Sequence, residues 1–181
     1  MRRAARLAPA FALLVLGCAR SSEAPEASGH ELAAAAELAA APGSAAHGTV
    51  TMTFQSGGVH IVADLEGLTP GAHAFTILAA SGCASPDSVP SPAHFNPTAQ
   101  PHGDGDSGMR HLGDLGNLVA DEGGRVHLDR LERSLTLEGP EAIVGHALAV
   151  HARPDQPTVQ PDGDAGPVVA CGVIALKPQR P

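Results

Sequence analysis

The chain has 181 residues, which is enough for one ordinary domain and an appendage but not comfortably for two domains. It carries 19 acidic residues against 11 lysines and arginines, and its net charge at pH 7 is −8. Beyond its first few residues it has no cluster of lysine or arginine, so its composition argues against nucleic acid and anionic membrane surfaces as partners.

The first residues have the features of an export signal. Three arginines precede an apolar run at 7–16, which is too short to span a bilayer as a helix. The run ends in Val15-Leu16-Gly17-Cys18, which resembles a bacterial lipobox. We therefore predict a lipoprotein signal peptide at 1–17 and a lipid on Cys18, which would anchor the exported protein in the bacterial cell envelope. The alternative is a plain secretory peptide in which Cys18 has no special role.

The segment that follows has the composition of a linker. Residues 18–47 are rich in alanine, serine, glutamate and proline and contain almost no large apolar side chains. This composition predicts a disordered tether between the lipid and a folded domain at 48–177. Within the tether, Glu31–Leu38 has the alanine content of a short, marginal helix.

From residue 48 onwards the sequence consists of short apolar and β-branched runs separated by glycine and proline. Thr49–Gln55 and Val59–Leu65 are joined at Gly57-Gly58, which predicts a hairpin. No segment has a convincing helical period, so we predict an all-β antiparallel sandwich or barrel. The other predicted strands are Ala74–Ala79, Asn117–Ala120, Arg125–Leu128, Leu135–Leu137, Ala147–His151 and Val168–Leu176.

Two stretches, 81–116 and 152–167, are too long for ordinary turns and are rich in glycine, proline and aspartate. Long ordered loops in a compact domain usually carry function or are pinned by something. If Cys18 carries a lipid, Cys83 and Cys171 remain as an even pair in a compartment where disulfides persist. We expect a disulfide between them, and two free buried thiols are the alternative.

The first long loop contains a complete set of candidate metal ligands. His94, His102, His111 and Asp114 offer three nitrogen donors and one oxygen donor, and each histidine has its own turn context. Four protein ligands fill the tetrahedral shell of Zn²⁺ and leave no open position for water, which is typical of a structural zinc site. The alternative is that these histidines are solvated loop residues, as in exported metal-scavenging tracts.

Five separated segments, in the correct order, resemble the copper/zinc superoxide dismutases over roughly residues 48–176. The resemblance implies an all-β fold, an eight-stranded Greek-key β-barrel with two long ordered loops. The matching segments are Gly67–Phe75 (entry to the copper strand), 93–97 and 110–117 (zinc loop), Leu148–His151 (strand of the last copper ligand) and Ala170–Ile174 (disulfide strand).

The resemblance also implies roles for individual residues. His94 matches the histidine that bridges copper and zinc, and the other three candidates match the remaining zinc ligands. Asp155 matches an aspartate whose hydrogen bonds link the two metal sites. His151 matches a copper ligand, and Cys83–Cys171 matches the family's disulfide.

Three positions depart from the family's pattern. Two copper-binding histidines are replaced by Thr76 and Leu78, and neither a leucine nor a threonine hydroxyl is a useful copper donor. The arginine that helps to draw in superoxide is replaced by Val168. His73 matches a histidine that is not a ligand in the family. The remaining strand histidines, His60, His127 and His146, are interpreted as surface or packing residues.

Together these features predict a zinc-binding, superoxide dismutase-like lipoprotein with weak or no dismutase activity. Zinc is the expected cofactor, whereas the residual pair His94 and His151 is a poor site for copper. One alternative is a functional enzyme that converts superoxide to hydrogen peroxide and oxygen through other copper ligands, and a second is a non-catalytic metal-binding or partner-binding module. The membrane is the expected partner, superoxide is a substrate only if the protein is active, and a homodimer is compatible with the resemblance.

Overall fold

The computed structural model describes residues 32–83, 93–105 and 107–178. The predicted signal peptide, the lipidation site Cys18 and the first part of the tether lie outside the described residues. Among the described residues, no helix has the length and hydropathy that a membrane span requires. The strands are β1 Ala33–Ala40, β2 His47–Gln55, β3 Gly58–Glu66, β4 Gly71–Leu78, β5 Asp114–Ala120, β6 Val126–Glu132, β7 Ala147–His151, β8 Val168–Val173 and β9 Ala175–Leu176.

The strands form one antiparallel sheet in the order β5-β4-β7-β8-β1-β2-β3-β6, and the short β9 pairs with β1. The predicted hairpin at Gly57-Gly58 is present between β2 and β3. At the two ends of the sheet, Arg130 on β6 donates a 2.6 Å hydrogen bond to the backbone carbonyl of Leu115 on β5. The sheet therefore curls into a nearly closed eight-stranded barrel, which confirms the predicted all-β fold.

Strand β1 corrects the prediction of a disordered tether over 18–47 and of a marginal helix within it. Ala34, Ala36 and Leu38 are buried at 0–3% exposure, while Glu37 is exposed, which is the two-residue period of a strand. β1 lies between β8 and β2 and hydrogen-bonds to both. Helix propensity is a weak prior that tertiary pairing overrides, and alanine fills a narrow interior without any large side chain. The barrel thus includes residues before the predicted boundary at 48.

The run Leu135–Leu137 was also predicted as a strand, and the structure instead has a loop there. Its one ladder contact is an isolated parallel bridge between Thr136 and Ala142. Leu135 and Leu137 are both 3% exposed and belong to the main core. The apolar alternation therefore reflects a loop anchored on the core rather than a paired strand.

Strands β4 and β7 are buried on both faces, and this places the candidate site. Phe75, Ile77, Leu148 and Val150 point into the main core of the barrel. On the opposite face of the same strands, a second apolar cluster is formed by Leu78, Ala147, Ala149 and Cys171. Strands with two buried faces need a cover on the side away from the barrel.

The long loop at 81–116 supplies part of that cover. Its residues 93–95 run beside the end of β4, where Phe95 donates a backbone hydrogen bond to Ile77 and Ala79 donates one to Ala93. Cys83 and Cys171 form the predicted disulfide, which ties the start of the loop to β8. Cys83 and residues 93–95 of the loop are therefore fixed to the sheet beside β4 and β8.

Candidate metal centre

Asp114, the first residue of β5, is the point on which the candidate metal ligands converge. Its Oδ1 lies 2.7 Å from Nδ1 of His94 and 3.1 Å from Nδ1 of His111, and its Oδ2 lies 3.1 Å from Nδ1 of His102. One ligand atom from each of the four residues lies within 4.8 Å of all the others, and all four residues are buried. The structure thus brings together the complete set of predicted zinc ligands.

His94 reaches this point because its loop is hydrogen-bonded to the end of β4. Gly113 accepts a bond from Ile77 and donates one to Phe95, so the chain next to Asp114 passes directly against β4. A side chain at position 113 would place its Cβ 2.2 Å from the carbonyl oxygen of Ile77. Only glycine permits this close approach, which sets the position of His94 relative to Asp114.

Residues of the second long loop, 152–167, hold His102 in place. Its Nε2 lies 2.9 Å from Oδ1 of Asp155, and its backbone N–H and C=O are both hydrogen-bonded by the side-chain amide of Gln160, at 3.0 and 2.8 Å. Gly163 has φ +71° and lies against this pair, and a Cβ there would overlap Asp155 Oδ1. Asp155 thus contacts a zinc-ligand candidate as the family resemblance implied, whereas sequence reasoning missed Gln160 and Gly163.

Sequence reasoning also missed Arg110, a buried cation beside the centre. Its guanidinium donates to the backbone carbonyls of His111 and Asp114, at 3.1 and 2.6 Å. The other end pairs with Glu132 Oε2 at 3.1 Å and Ser134 Oγ at 3.0 Å. Arg110 therefore fixes the turn that carries two of the ligand candidates. Its sequence neighbour His111 is the one signal that could have drawn attention to it.

Three of the four residues, Asp114, His102 and His111, have shifted pKa values. Burial alone would raise the pKa of the Asp114 carboxyl, but its contacts with His102 and His94 outweigh burial and hold that pKa well below its usual range. Burial would lower the pKa of His102, yet Asp114 and Asp155 raise it to about 9. At His111 burial prevails, and the pKa is lowered despite the attraction of Asp114. At neutral pH the metal-free centre thus holds an ionised Asp114 beside a protonated His102 and a neutral His111.

This donor set fits zinc. Three imidazole nitrogens and one carboxylate oxygen are the number and kind of ligands that tetrahedral Zn²⁺ takes in closed sites. His102 Nδ1 and Nε2 are buried and lie near carboxylates, but neither contact has the angle of a hydrogen bond, so both nitrogens lack a conventional partner. A cation between His102 and Asp114 would satisfy Nδ1, with Asp155 orienting the ring from the other side.

The residues at the positions where the family resemblance places copper ligands are arranged differently. His151, at the end of β7, is 1% exposed, and its Nδ1 donates a 3.0 Å hydrogen bond to the carbonyl of Gly166. Burial lowers the pKa of His151, although the Gly166 bond opposes that shift, so the ring is neutral. Its Nε2 accepts a 2.9 Å hydrogen bond from the hydroxyl of Thr76. Leu78 is fully buried in the apolar cluster on the outer face of β4.

This arrangement does not fit Cu(II). His94 Nε2 is buried and has no hydrogen-bond partner among the described residues, and the ring centres of His94 and His151 are 6.4 Å apart. His94 and His151 are the two imidazoles that the resemblance assigns to copper, and one of them is already engaged by Thr76. Cu(II) prefers a tetragonal set of nitrogen and oxygen donors. Thr76 and Leu78 do not supply the rest of that set.

The other histidines in the described part of the chain have partners elsewhere. His73 has both ring nitrogens 2.8 Å from backbone carbonyls, those of His151 and Thr69, so it is not available as a substitute ligand. His146 stacks against Phe95 with ring centres 4.2 Å apart. Three further strand histidines pair with surface carboxylates, His47 with Glu66, His60 with Asp129 and His127 with Asp64.

Comparison with known proteins agrees with this geometry. The family model for copper/zinc superoxide dismutase (SODC) matches residues 46–174, which include all four ligand candidates. The chain is also 36% identical over 143 residues to a Brugia pahangi protein named extracellular superoxide dismutase (Cu-Zn), and the match covers 72% of this chain and 69% of that protein. The chain belongs to the copper/zinc superoxide dismutase family.

Proposed function

We propose that this protein is an exported, zinc-binding member of its family with weak or no dismutase activity. The observation that carries the proposal is the hydrogen bond from Thr76 to His151 Nε2, beside the buried Leu78. Family resemblance expects copper-binding histidines at positions 76 and 78, and the residues there are a hydroxyl that is already paired and an alkyl chain.

Zinc binding is supported by the convergence of His94, His102, His111 and Asp114 in a buried group. Their contacts to Asp155, Gln160 and Arg110 hold the ligand atoms in place before any metal arrives. Such outer contacts raise ligand basicity and fix ring orientation in metal sites. Since four protein donors leave no position open for water, we assign zinc a structural role here.

Weak or absent dismutation follows from two separate losses. Bound copper supplies the change of oxidation state on which dismutation in this family depends, and the two remaining imidazoles are a poor site for it. Val168 replaces the arginine that would attract the superoxide anion and donate hydrogen bonds to it. In a chain with net charge −8, the loss of that local cation lowers encounter rates further.

An active dismutase is the second candidate. The name of the Brugia pahangi relative, a Cu-Zn superoxide dismutase, favours it. This candidate requires copper donors other than Thr76 and Leu78, and His73 is excluded by its two backbone contacts.

The decisive experiment is superoxide decay by stopped flow, using the full chain loaded with zinc and copper. We expect superoxide to decay about as fast as in buffer without protein, and the protein loaded with zinc alone is the matched control. Fast decay that scales with bound copper would establish the second candidate.

For location, we propose export and a lipid anchor on Cys18. The Cys83–Cys171 disulfide supports an oxidising compartment, and the lipobox-like segment supports lipidation. Cell fractionation and labelling with a fatty-acid probe test this with the Cys18→Ala variant as control. We expect label and membrane association in the native chain alone, and an unlabelled, freely soluble native protein would refute the anchor.

A further inference from the structure

Thr76 forms a closed polar pair with His151. The hydroxyl of Thr76 is buried near the end of β4, opposite Ala149 of β7, and His151 Nε2 is its one hydrogen-bond partner among the described residues. Since the carbonyl of Gly166 can only accept a hydrogen bond, Nδ1 of His151 must be the donor and Nε2 of the neutral ring an acceptor. Each polar atom of this pair therefore has the partner that a buried group requires.

The side chain of Thr76 is well suited to hold this bond. A β-branched residue in a strand has a restricted χ1, so its hydroxyl keeps one direction. Valine has nearly the same shape without the hydroxyl, and serine has the hydroxyl without the methyl group. Shape and hydrogen bonding at position 76 can thus be separated by single substitutions.

His94, unlike His151, has a buried ring nitrogen without a hydrogen-bond partner among the described residues. Its Nδ1 faces Asp114 at 2.7 Å, whereas its Nε2 is buried and without a partner among the described residues. The ring centres of His94 and His151 are 6.4 Å apart, and two imidazole nitrogens are a minimal site for Cu(I). One of these two nitrogens, on His151, is already engaged by the Thr76 hydroxyl.

We infer that Thr76 is a specificity-determining residue that withholds His151 from copper while leaving the zinc ligands untouched. The inference rests on the proposed function, zinc binding without copper, and names the contact that disfavours copper. The expected copper site therefore lacks two donors and, in addition, has one of its remaining donors in a hydrogen bond. Copper has to break the bond between Thr76 and His151 before it can bind.

The test compares Cu(I) affinity of the zinc-loaded full chain with that of Thr76→Val and Thr76→Ser, by competition with a chromogenic Cu(I) chelator. We expect Thr76→Val to bind Cu(I) about five- to tenfold more tightly, the size of one neutral buried hydrogen bond. Thr76→Ser should stay within about twofold of the native chain. Zinc content and thermal melting verify that each variant is folded, and Thr76→Ala replaces the valine variant if that one does not fold.

A third variant identifies the copper ligand. In Thr76→Val/His151→Ala the gained affinity should disappear, and a gain that persists there would overturn the inference because copper would be bound elsewhere. Equal affinities in the native, valine and serine proteins would also overturn it, while leaving the proposed function intact. Tight stoichiometric copper in the native chain would instead overturn the proposed function.

Discussion

Gln160 is the residue whose role is least visible in the sequence. Its amide bonds both backbone groups of His102, while Asp155 contacts the ring of the same histidine. These contacts come from the loop at 152–167, which contributes no ligand candidate of its own. Gln160 is thus a positioning residue that reaches the metal centre through His102.

Replacing Gln160 by alanine should therefore weaken zinc binding. We expect a loss of about tenfold, the lower end of the range for such outer contacts, because Gln160 is itself solvent-exposed. Zinc affinity from competition with a chelator measures the effect. Gln156→Ala, an exposed glutamine in the same loop, is the matched control and should change nothing. Equal affinity in the two variants would remove Gln160 from the centre's support.

His102 gives the zinc-free protein a characteristic pH dependence. Its pKa is raised from 6.5 to about 9, mainly through Asp114 and Asp155 acting against burial. The stabilisation from the protonated ring is therefore complete below pH 6.5 and is lost as the pH rises through 9. We expect the free energy of unfolding of the zinc-free protein to fall over that interval, as measured by denaturant titration in the presence of a chelator.

The Asp155→Asn variant tests whether His102 causes this fall in the free energy of unfolding. It removes one of the two carboxylates that raise the pKa of His102, so the decline between pH 6.5 and 9 should become shallower. Zinc competes with protons for the same nitrogen, and the difference in stability between loaded and zinc-free protein should widen as the pH rises. A native zinc-free protein whose stability stays constant or increases over this range would contradict the assignment.

At the scale of elements, β4 carries both positions at which the family resemblance expects copper-binding histidines. Thr76 and Leu78 are two residues apart on one strand, so both lie on its outer face, away from the barrel core. The inner face, with Phe75 and Ile77, belongs to the main core. Copper ligands can therefore be altered on β4 without touching the packing of the barrel.

We expect the variant Thr76→His/Leu78→His to gain Cu(II) binding with several nitrogen donors in its EPR spectrum. Superoxide decay should stay slow until Val168→Arg is added, since the anion still lacks a local cation. Thr76→His alone is the control and should bind copper less tightly than the double variant. Failure of the folded double variant to take up copper would mean that the site has diverged beyond these two positions.

The sequence predicted elements well where side-chain identity decides the outcome, and less well where pairing decides it. His94 and Asp114 could be found because imidazole and carboxylate groups are metal ligands whatever their surroundings. The strand Ala33–Ala40 could not, because alanine favours a helix in isolation and becomes a strand only through its neighbours β2 and β8. Arg110 and Gln160 act through contacts that only the folded loops create.

At the scale of the whole molecule, the candidate metal centre joins parts that the barrel alone leaves separate. Its ligand candidates come from the loop before β5 and from Asp114 at the start of β5, and Asp155 and Gln160 add the loop at 152–167. The barrel has its own core of apolar side chains beneath them. Zinc should thus stabilise the two loops more than the sheet.

Removal of zinc should accordingly loosen the loops first. Hydrogen exchange followed by mass spectrometry should show faster exchange in 93–116 and 152–167, with the strands β2 and β3 still protected. The comparison of zinc-loaded and chelator-treated protein provides its own control. Uniform loss of protection across the barrel would show instead that the fold as a whole depends on the metal.

The central claim is that this family member binds zinc at a complete site and has lost its copper site. Its most direct test is the metal content of the full chain after equilibration with an excess of both ions and removal of unbound metal. We expect stoichiometric zinc and an amount of copper far below stoichiometric. Stoichiometric copper with the EPR spectrum of a Cu(II) ion bound by several nitrogens would contradict it.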